Sequence, residues 1–312
     1  MINRRHIRVK VMQAVYAMHQ SQNDDLIREE KLLKLSVDKM QDMYVLLLSM
    51  LVEVRDMERI FLEVSSKKIL ATKEEKNPNV KFINNKVIQL LNESNSLALF
   101  IDEHKLNNWY LDTAYVKDIW KTMKESDFYI AYMANEKDSF ELDKEFIVRL
   151  FREIVAPNEK IADYFEDKNI SWVDDIPFVN TWVAKTLNQL TPLKGIYIGS
   201  LYKDEDDQKY VSDLFRKTVL NDRMLSEEVD QRTPNWDMDR IADVDLILIK
   251  MAICEFLKFP SIPTRVTINE YIEIAKDYST EKSSFFINGV LDKISKEFEK
   301  SKRLNKIGRG LL

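Results

Sequence analysis

Glycine is so scarce in this chain that its absence limits the folds available. The 312 residues contain only 5 Gly and 7 Pro, and the first glycine is Gly195. Tight β-hairpin turns and phosphate-binding loops both need glycine, because other residues rarely adopt a positive φ and a side chain keeps the backbone away from a phosphate. A Rossmann enzyme, a P-loop nucleotidase and a turn-rich β-barrel are therefore disfavoured. With 45% hydrophobic and 32% charged residues, the composition predicts an all-α protein built from amphipathic helices.

Cysteine and histidine are also scarce, which limits the disulfides and metal sites that the chain can form. Cys254 is the single cysteine, so no internal disulfide can form, and a reducing compartment is expected. Together with His6, His19 and His104 it does not give the spacing of a zinc site. No apolar run is long enough for a membrane span, and the N-terminus does not resemble a signal peptide. We expect a cytoplasmic protein without metal, cofactor or membrane contact.

The charge is unevenly distributed along the chain. The total is −5, but residues 1–20 carry +4 and residues 300–312 carry +5, so the stretch between them is strongly acidic. Two basic ends on an acidic body indicate a localised site for a polyanion. The alternative is that the charged residues at the two termini are simply solvated. The cations concerned are Arg4, Arg5, Arg8 and Lys10 at the start, and Lys300, Lys302, Arg303, Lys306 and Arg309 at the end.

The first predicted helix, over residues 4–20, combines a core stripe with a polar face. Its apolar residues recur with the helical period, at Ile7, Val11, Ala14, Val15 and Met18. At about 100° per residue, Arg5, Gln13 and Tyr16 lie opposite that stripe and Arg8 flanks it. We therefore expect the helix to expose guanidinium, amide and phenol groups to water. Partial burial of Tyr16 against a neighbouring helix is the alternative.

Two later segments have distinctive helical patterns. Residues 240–258 are apolar nearly all round, which predicts the buried centre of a bundle. Thr267 and Glu270 have the spacing of a capping box at the start of the following helix. Ser283 or Ser284 can cap the last helix, whose first turn places Phe285 and Phe286 away from the centre of its apolar stripe. Either contact with a neighbouring helix or a functional surface explains these two rings.

An internal repeat links the middle of the chain to its C-terminal third. Residues 146–155 match residues 210–219 at an offset of 64, and the same offset places Trp172 on Trp236. The repeat predicts stacked helical units, unless two amphipathic helices agree by coincidence. The acidic stretch 202–209 is interpreted as a linker.

The C-terminal third resembles the NusB family of bacterial transcription antitermination factors. The resemblance rests on Asp239–Glu255, on Pro263–Glu270 with Glu273–Lys276, and above all on Phe286–Lys293, whose Phe-Ile-Asn-Gly-Val-Leu-Asp-Lys follows the Val-Thr-Ile-Asn-Glu at a specific spacing. Residues 4–20 also resemble the first helix of the family. The resemblance implies an all-helical fold that binds RNA without catalysis.

The resemblance also implies partners and site residues. Family members bind the boxA element of nascent transcripts as a heterodimer with NusE, a small-subunit ribosomal protein, in a complex with RNA polymerase and other Nus factors. Asp245 on the central helix would belong to the protein-partner surface. The RNA-binding residues implied are Arg4, Arg5, Arg8, Gln13 and Tyr16 from the first helix, and Tyr278, Lys282, Phe286 and Asn288 around the start of the last helix.

The chain departs from the family in two respects. It is more than twice the usual length, and the position of Lys282 is often acidic in the family. We divide it into a basic first helix (1–20), a helical insertion (21–207) with a degenerate repeat at 146–186, a NusB-like bundle (208–300) and a basic tail (301–312).

Two alternative functions would also use a NusB-like helical bundle. A helical protein–protein adaptor without RNA binding would keep the fold but not the salt-dependent affinity for RNA. An RNA methyltransferase with a NusB-like domain would need a glycine-rich Rossmann domain, which this chain lacks, so we expect no enzyme activity. Gly289, inside the last helix, costs about 1 kcal/mol relative to Ala, and either close helix packing or close approach of RNA would justify it.

Overall fold

The computed structural model describes residues 1–232 and 241–311. All secondary-structure elements longer than a turn or a single bridge in these residues are helices. Thr191 and Lys194 form one isolated β-bridge, and no strand occurs in the described ranges. The all-α prediction is confirmed. None of the helices in those ranges is long and apolar enough to cross a membrane.

The helices are numbered in chain order. They are α1 (Arg4–Ser21), α2 (Leu26–Ser66), α3 (Lys73–Lys76), α4 (Lys86–Asn92), α5 (Asn95–His104), α6 (Asn108–Leu111), α7 (Thr113–Glu125), α8 (Asp127–Ala134), α9 (Phe140–Leu150), α10 (Glu159–Lys168), α11 (Ile176–Gln189), α12 (Glu205–Leu220), α13 (Asp222–Asp230), α14 (Asp243–Lys258), α15 (Thr264–Tyr278) and α16 (Ser283–Lys300). A π-helical turn (Phe151–Val155) extends α9, and 3₁₀ turns cover Ile170–Asp175 and Gly308–Leu311.

Tertiary contacts divide the chain into two compact units. The discontinuous unit comprises Met1–Val37 and Leu201–Leu312, and the central unit is Asp38–Ser200. The division predicted at residues 20, 207 and 300 follows sequence resemblance rather than contacts, and it stays a prediction. The acidic stretch 202–209 is not all linker, because α12 already begins at Glu205, where Asp204 caps the helix by accepting from the Asp207 amide.

The discontinuous unit is assembled around α14. This helix packs against α1, α12, α13, α15 and α16, and its side chains from Ile247 to Phe256 are buried. The prediction that residues 240–258 form the buried centre of a bundle is thereby confirmed for α14. A helix that is apolar on every side has no face for water and must be surrounded by others.

The central unit has its own core along α2. Between Met40 and Val54, eight hydrophobic side chains are fully buried. Two tryptophans attach to the backbone of this helix: Trp109 donates to the Leu46 carbonyl and Trp172 donates to the Lys39 carbonyl, both at 2.8 Å. These bonds satisfy indole groups that burial would otherwise leave without a partner.

Two helix starts in the discontinuous unit lie near the offset of 64 residues from helix starts in the central unit. α10 and α11 begin at Glu159 and Ile176, and α13 and α14 begin 63 and 67 residues later, at Asp222 and Asp243. The repeat itself stays a prediction. Its second tryptophan, Trp236, and the predicted turn around it lie outside the described residues.

Candidate functional site

Helix α1 enters the discontinuous unit with its apolar side buried. Asn3 caps the helix by accepting from the His6 amide, and Ile7, Val11 and Val15 are buried beneath it. The helix contacts α12, α14 and α15. Its opposite side carries the polar residues that the sequence singled out.

Three arginines of α1 form ion pairs with three different helices. Arg4 Nε lies 2.7 Å from Asp207 Oδ1 on α12. Arg5 binds Glu270 on α15 with two hydrogen bonds, of 2.9 and 3.0 Å. Arg8 binds Glu255 on α14 with two hydrogen bonds, of 2.7 and 3.0 Å. The basic side of α1 is thus engaged within the fold.

The Glu255 carboxylate is the centre of a buried hydrogen-bond network. Besides Arg8, it accepts hydrogen bonds from the hydroxyls of Tyr210, Thr267 and Tyr271, the last two at 2.9 Å. All five side chains are nearly or fully buried. Helices α1, α12, α14 and α15 therefore converge on one carboxylate, and every oxygen lone pair that burial removes from water has a donor.

Charge states within this network follow from burial and pairing. Burial alone would lower the pKa of Arg8, but the Glu255 carboxylate raises it well above its ordinary value. Burial alone would raise the pKa of Glu255, yet Arg8 and the phenols hold it below its ordinary value of 4.5. Burial and the charge of Glu255 raise the pKa of Tyr210 and Tyr271. The pair is ionised and the phenols remain donors at neutral pH.

Two expectations from the sequence are wrong here. Arg8 was expected to reach water, but it is only 2% exposed because it pairs with Glu255 inside the bundle. Thr267 and Glu270 do not form a capping box, because α15 begins one turn earlier, at Thr264, with Pro263 at its N-cap. Their side chains instead bind Glu255 and Arg5.

The basic ends are also less available than their charge suggests. Lys10 is buried, and Arg303 binds Glu228 with two hydrogen bonds, of 2.6 and 3.1 Å. Lys306 donates to the carbonyls of Glu255 and Phe259 at 3.1 and 3.0 Å, and burial lowers its pKa to about 8. The expectation of two free cationic ends is corrected, because many of these cations stabilise the bundle.

The start of α16 presents the most exposed aromatic group among the described residues of the unit. Phe285 is 80% exposed, whereas Phe286 and Tyr278 are half-buried. Lys282 and Asn288 are exposed beside them. Phe285 is not among the RNA-binding residues that the resemblance implies, although its position opposite the apolar stripe of α16 predicts its exposure.

No side chain caps α16. The N-cap position is Lys282, without a capping hydrogen bond. Ser283 and Ser284, the predicted caps, are buried and form hydrogen bonds with the preceding turn, Ser283 with Ser279 and Thr280, and Ser284 with Glu281. A helix start without a side-chain cap leaves amide donors that can receive an anionic group.

On α1, the predicted polar face is partly present. Tyr16 is 38% exposed, and Gln13 and the Arg5 side chain are partly exposed. A groove of about 640 Å³ between the starts of α1 and α15 is lined by Arg4, Arg5 and Glu270 among others. Since α1 contacts α15 and α15 contacts α16, the α1 and α16 residues lie on adjoining elements of one unit.

Asp245, the predicted partner-binding residue, is buried. It is 6% exposed, and its Oδ1 has no hydrogen-bond partner among the residues that the structure describes. The preceding acidic residue, Asp243, is exposed and accepts a 2.6 Å hydrogen bond from Gln20. Asp243 and Asp222 border a groove of about 320 Å³ whose apolar lining is Val15, Met18, Val219, Leu246 and Ile247. The assignment of Asp245 and its neighbours to a partner surface stays a prediction, and Asp243 is the exposed acid among those neighbours.

Gly289 lies in open space. A Cβ placed on it would meet no atom within 4 Å outside its own helix. Close helix packing, one of the two reasons considered for this glycine, is therefore excluded. Approach of a ligand backbone remains as the other reason.

Metal binding has no support in the described ranges. Within residues 1–232 and 241–311, no group of three or more His, Cys, Asp or Glu side chains could hold a metal ion.

Comparison with known proteins places the C-terminal part of the chain among characterised sequences. Residues 183–296 match the model of the NusB family. The transcription antitermination protein NusB of Salinibacter ruber is 41% identical over 112 residues, which are 36% of this chain and 70% of that protein. The protein of the same name from Natranaerobius thermophilus is 38% identical over 97 residues, 31% of this chain and 70% of the relative.

The alignment with a third relative includes more of this chain but a smaller share of the relative's own length. The transcription antitermination protein NusB of Chloroherpeton thalassium is 36% identical over 119 residues, 38% of this chain and 56% of that protein. No solved structure matches the chain significantly.

Replacing Arg8 by Met tests the buried network. Glu255 would remain buried without its cation, and removing one partner of such a pair costs about 3–5 kcal/mol. We expect the free energy of unfolding, measured by urea titration, to fall by about that amount. Arg149→Met, which removes the exposed Arg149–Glu153 pair, should cost less than about 1 kcal/mol.

The pH dependence provides a second readout of the network. Because the folded state lowers the pKa of Glu255, its contribution to stability is present above its unfolded value of 4.5 and is lost as the pH falls through the folded pKa. Glu255→Gln should reduce the loss of stability on acidification. An Arg8→Met protein as stable as the Arg149→Met control would contradict the conclusion that Arg8 and Glu255 form a stabilising buried ion pair.

Proposed function

This chain belongs to the NusB family of transcription antitermination proteins, and we propose that its discontinuous unit binds boxA-type single-stranded RNA in nascent transcripts together with NusE. As a member of this family it is not an enzyme, in agreement with the expectation from its sequence. The complex it joins would contain RNA polymerase and other Nus factors, and the cytoplasm remains the predicted location.

The observation that carries the proposal is the exposed start of α16. Phe285 and Phe286 offer rings on which bases can stack, Lys282 offers a cation, and the helix start without a side-chain cap offers amide donors. Single-stranded RNA is held by this combination of stacking and phosphate contacts. Asn288 and Tyr278 add polar groups from the same region.

Helix α1 contributes in two ways to the proposed surface. Arg5, Gln13 and Tyr16 are partly exposed and are proposed RNA contacts. Two N–H groups of Arg5 already bind Glu270, so a phosphate would bind Nη1 or share the guanidinium. For Arg4 and Arg8 we propose a positioning role instead, since their ion pairs fix the helix that carries the other three.

For the protein partner, the acidic groove at the start of α14 is the better candidate than Asp245 itself. Its lining includes the acids Asp24, Asp222 and Asp243 beside an apolar part formed by Val15, Met18, Val219, Leu246 and Ile247. Lys250, which also lines the groove, pairs with Asp222 at 2.8 Å, so Asp243 is the acid on which the proposal rests. This arrangement suits a partner segment with a basic residue beside an apolar one. It also favours the alternative function, a protein–protein adaptor without RNA binding, which the experiments below distinguish.

Three substitutions around α16 test RNA binding. Phe285→Ala and Phe286→Ala each remove a stacking ring, worth about 1–3 kcal/mol per base. Lys282→Asp replaces an attraction for phosphate by a repulsion. We expect each variant to weaken the binding of boxA RNA by about fivefold or more in a fluorescence anisotropy titration.

A matched control comes from the far end of the same helix. Lys296→Asp changes the same charge at a position four residues after Asp292, with which Lys296 pairs, and should leave the affinity within about twofold. Equal affinities for all four variants and the unmodified chain would favour the adaptor.

Gly289→Ala tests whether RNA passes close to this glycine. The substitution should raise the free energy of unfolding by about 0.5–1 kcal/mol, because alanine is the better helix former and no atom obstructs its Cβ. If the RNA backbone passes close to this glycine, the same variant binds boxA RNA more weakly. A more stable protein with unchanged RNA affinity would contradict the proposed approach.

Asp243→Lys tests the partner groove. We expect less NusE to be retained in a pull-down with boxA RNA present, since the rim charge is reversed. Asp213→Lys on α12, also exposed and ion-paired with Lys217, is the control and should retain NusE normally. Equal retention by both variants would exclude the groove as the NusE site.

A further inference from the structure

One part of the central unit lacks acidic residues altogether. The unit as a whole has 27 acidic and 21 basic residues, but residues 176–200, which include α11, contain no Asp or Glu. In a chain with 52 acidic residues among 312, a stretch of this length without any is unusual. It creates a local region to which an anion can come close.

A groove lies along this part of α11. It has a volume of about 520 Å³ and runs between α11 and the π-helical turn Phe151–Val155. Its polar lining consists of Arg152, Asn180, Thr181, Lys185, Asn188 and Gln189. The other lining residues are Phe and Ala, so no carboxylate is found among the described residues that line it.

The two cations of the groove are available. Arg152 and Lys185 are exposed, and neither forms an ion pair within the described part of the chain. Glu153, the acid next to Arg152, is held by Arg149 at 2.7 Å. This differs from α1, whose arginines are all paired with carboxylates.

A hydrogen bond joins the two walls of the groove. Asn180 Nδ2 on α11 donates to the Ala156 carbonyl at 3.2 Å. The Ala156 amide in turn donates to the Phe151 carbonyl at 2.8 Å, which closes the π-helical turn. π-helical turns are rare and occur frequently at functional sites. Here the turn carries Phe151 and Arg152 into the groove lining.

We propose that this groove binds a segment of single-stranded RNA. Arg152 and Lys185 are suited to two phosphates, and the amide groups of Asn180, Asn188 and Gln189 can both donate to and accept from base edges. An acidic peptide would use the cations but not this set of amides. The choice of RNA as the anion rests on the proposed function, whereas the groove itself belongs to the other unit.

Arg152→Ala combined with Lys185→Ala tests the proposal in the full-length chain. The probe is a fluorescein-labelled, unstructured single-stranded RNA titrated at several salt concentrations. We expect the Kd to rise about tenfold, and the slope of log affinity against log salt to become shallower by about 1.4, since each phosphate contact of a single strand contributes about 0.7.

Lys117→Ala combined with Lys121→Ala is the matched control. Both lysines are exposed on α7 of the same unit and neither lines the groove. This pair removes the same charge and should leave the Kd within about twofold. Equal effects of the two pairs would overturn the proposal, because they would reduce it to general charge attraction.

A competition separates RNA from acidic protein. Polyglutamate added in excess should displace the RNA poorly from the unmodified chain. Displacement of the RNA by polyglutamate as readily as by unlabelled RNA would overturn the proposal in favour of an acidic peptide.

Phe286→Ala distinguishes a failure of the groove proposal from a failure of the function proposed for the discontinuous unit. If the groove pair lowers RNA affinity and Phe286→Ala does not, the site on α16 fails and the groove stands. If Phe286→Ala lowers the affinity and the groove pair does not, the groove fails and the function proposed for the discontinuous unit stands.

Discussion

The buried ion pair between Arg8 and Glu255 is the interaction on which the candidate site depends. It joins residues 247 positions apart in the chain, and the hydroxyls of Tyr210, Thr267 and Tyr271 complete it. Burying two charges costs free energy that only close pairing and full hydrogen bonding offset. A rotation of α1 by one residue would turn Arg8 away from Glu255 by about 100°. The pair therefore specifies the rotation of α1, and with it which side chains, such as Tyr16, face outward.

This arrangement changes the role assigned to the basic residues near the N-terminus. Cations near the start of a nucleic-acid-binding chain are usually interpreted as phosphate contacts, yet Arg4, Arg5 and Arg8 each hold a carboxylate of another helix. The proposed RNA contacts are therefore placed chiefly at the start of α16, with its exposed ring, Lys282 and amide donors. In the central unit the relation is reversed, because Arg152 and Lys185 have no acidic partner in the described part of the chain and the described lining of their groove contains no carboxylate.

Helical periodicity allowed much of the fold to be predicted, but not the partners of the polar residues. The burial of α14 and the outward position of Phe285 both follow from the positions of apolar residues every three to four places. Periodicity places Arg8 beside the apolar stripe without saying whether a buried carboxylate faces it. Thr267 and Glu270 fit a local capping pattern, and only the three-dimensional contacts with Glu255 and Arg5 reveal why that pattern is not used. The π-helical turn after α9 has no sequence signal at all.

The salt dependence of RNA binding by the unmodified chain tests the account most directly. Lys282, Arg152, Lys185 and in part Arg5 are the cations assigned to phosphates, and each contact contributes about −0.7 to the slope of log affinity against log salt for a single strand. The account predicts a slope between about −2 and −3. A flat line would contradict RNA binding itself. A slope steeper than about −5 would contradict the assignment of the terminal cations to internal ion pairs, because those pairs would then have to open and contact phosphates.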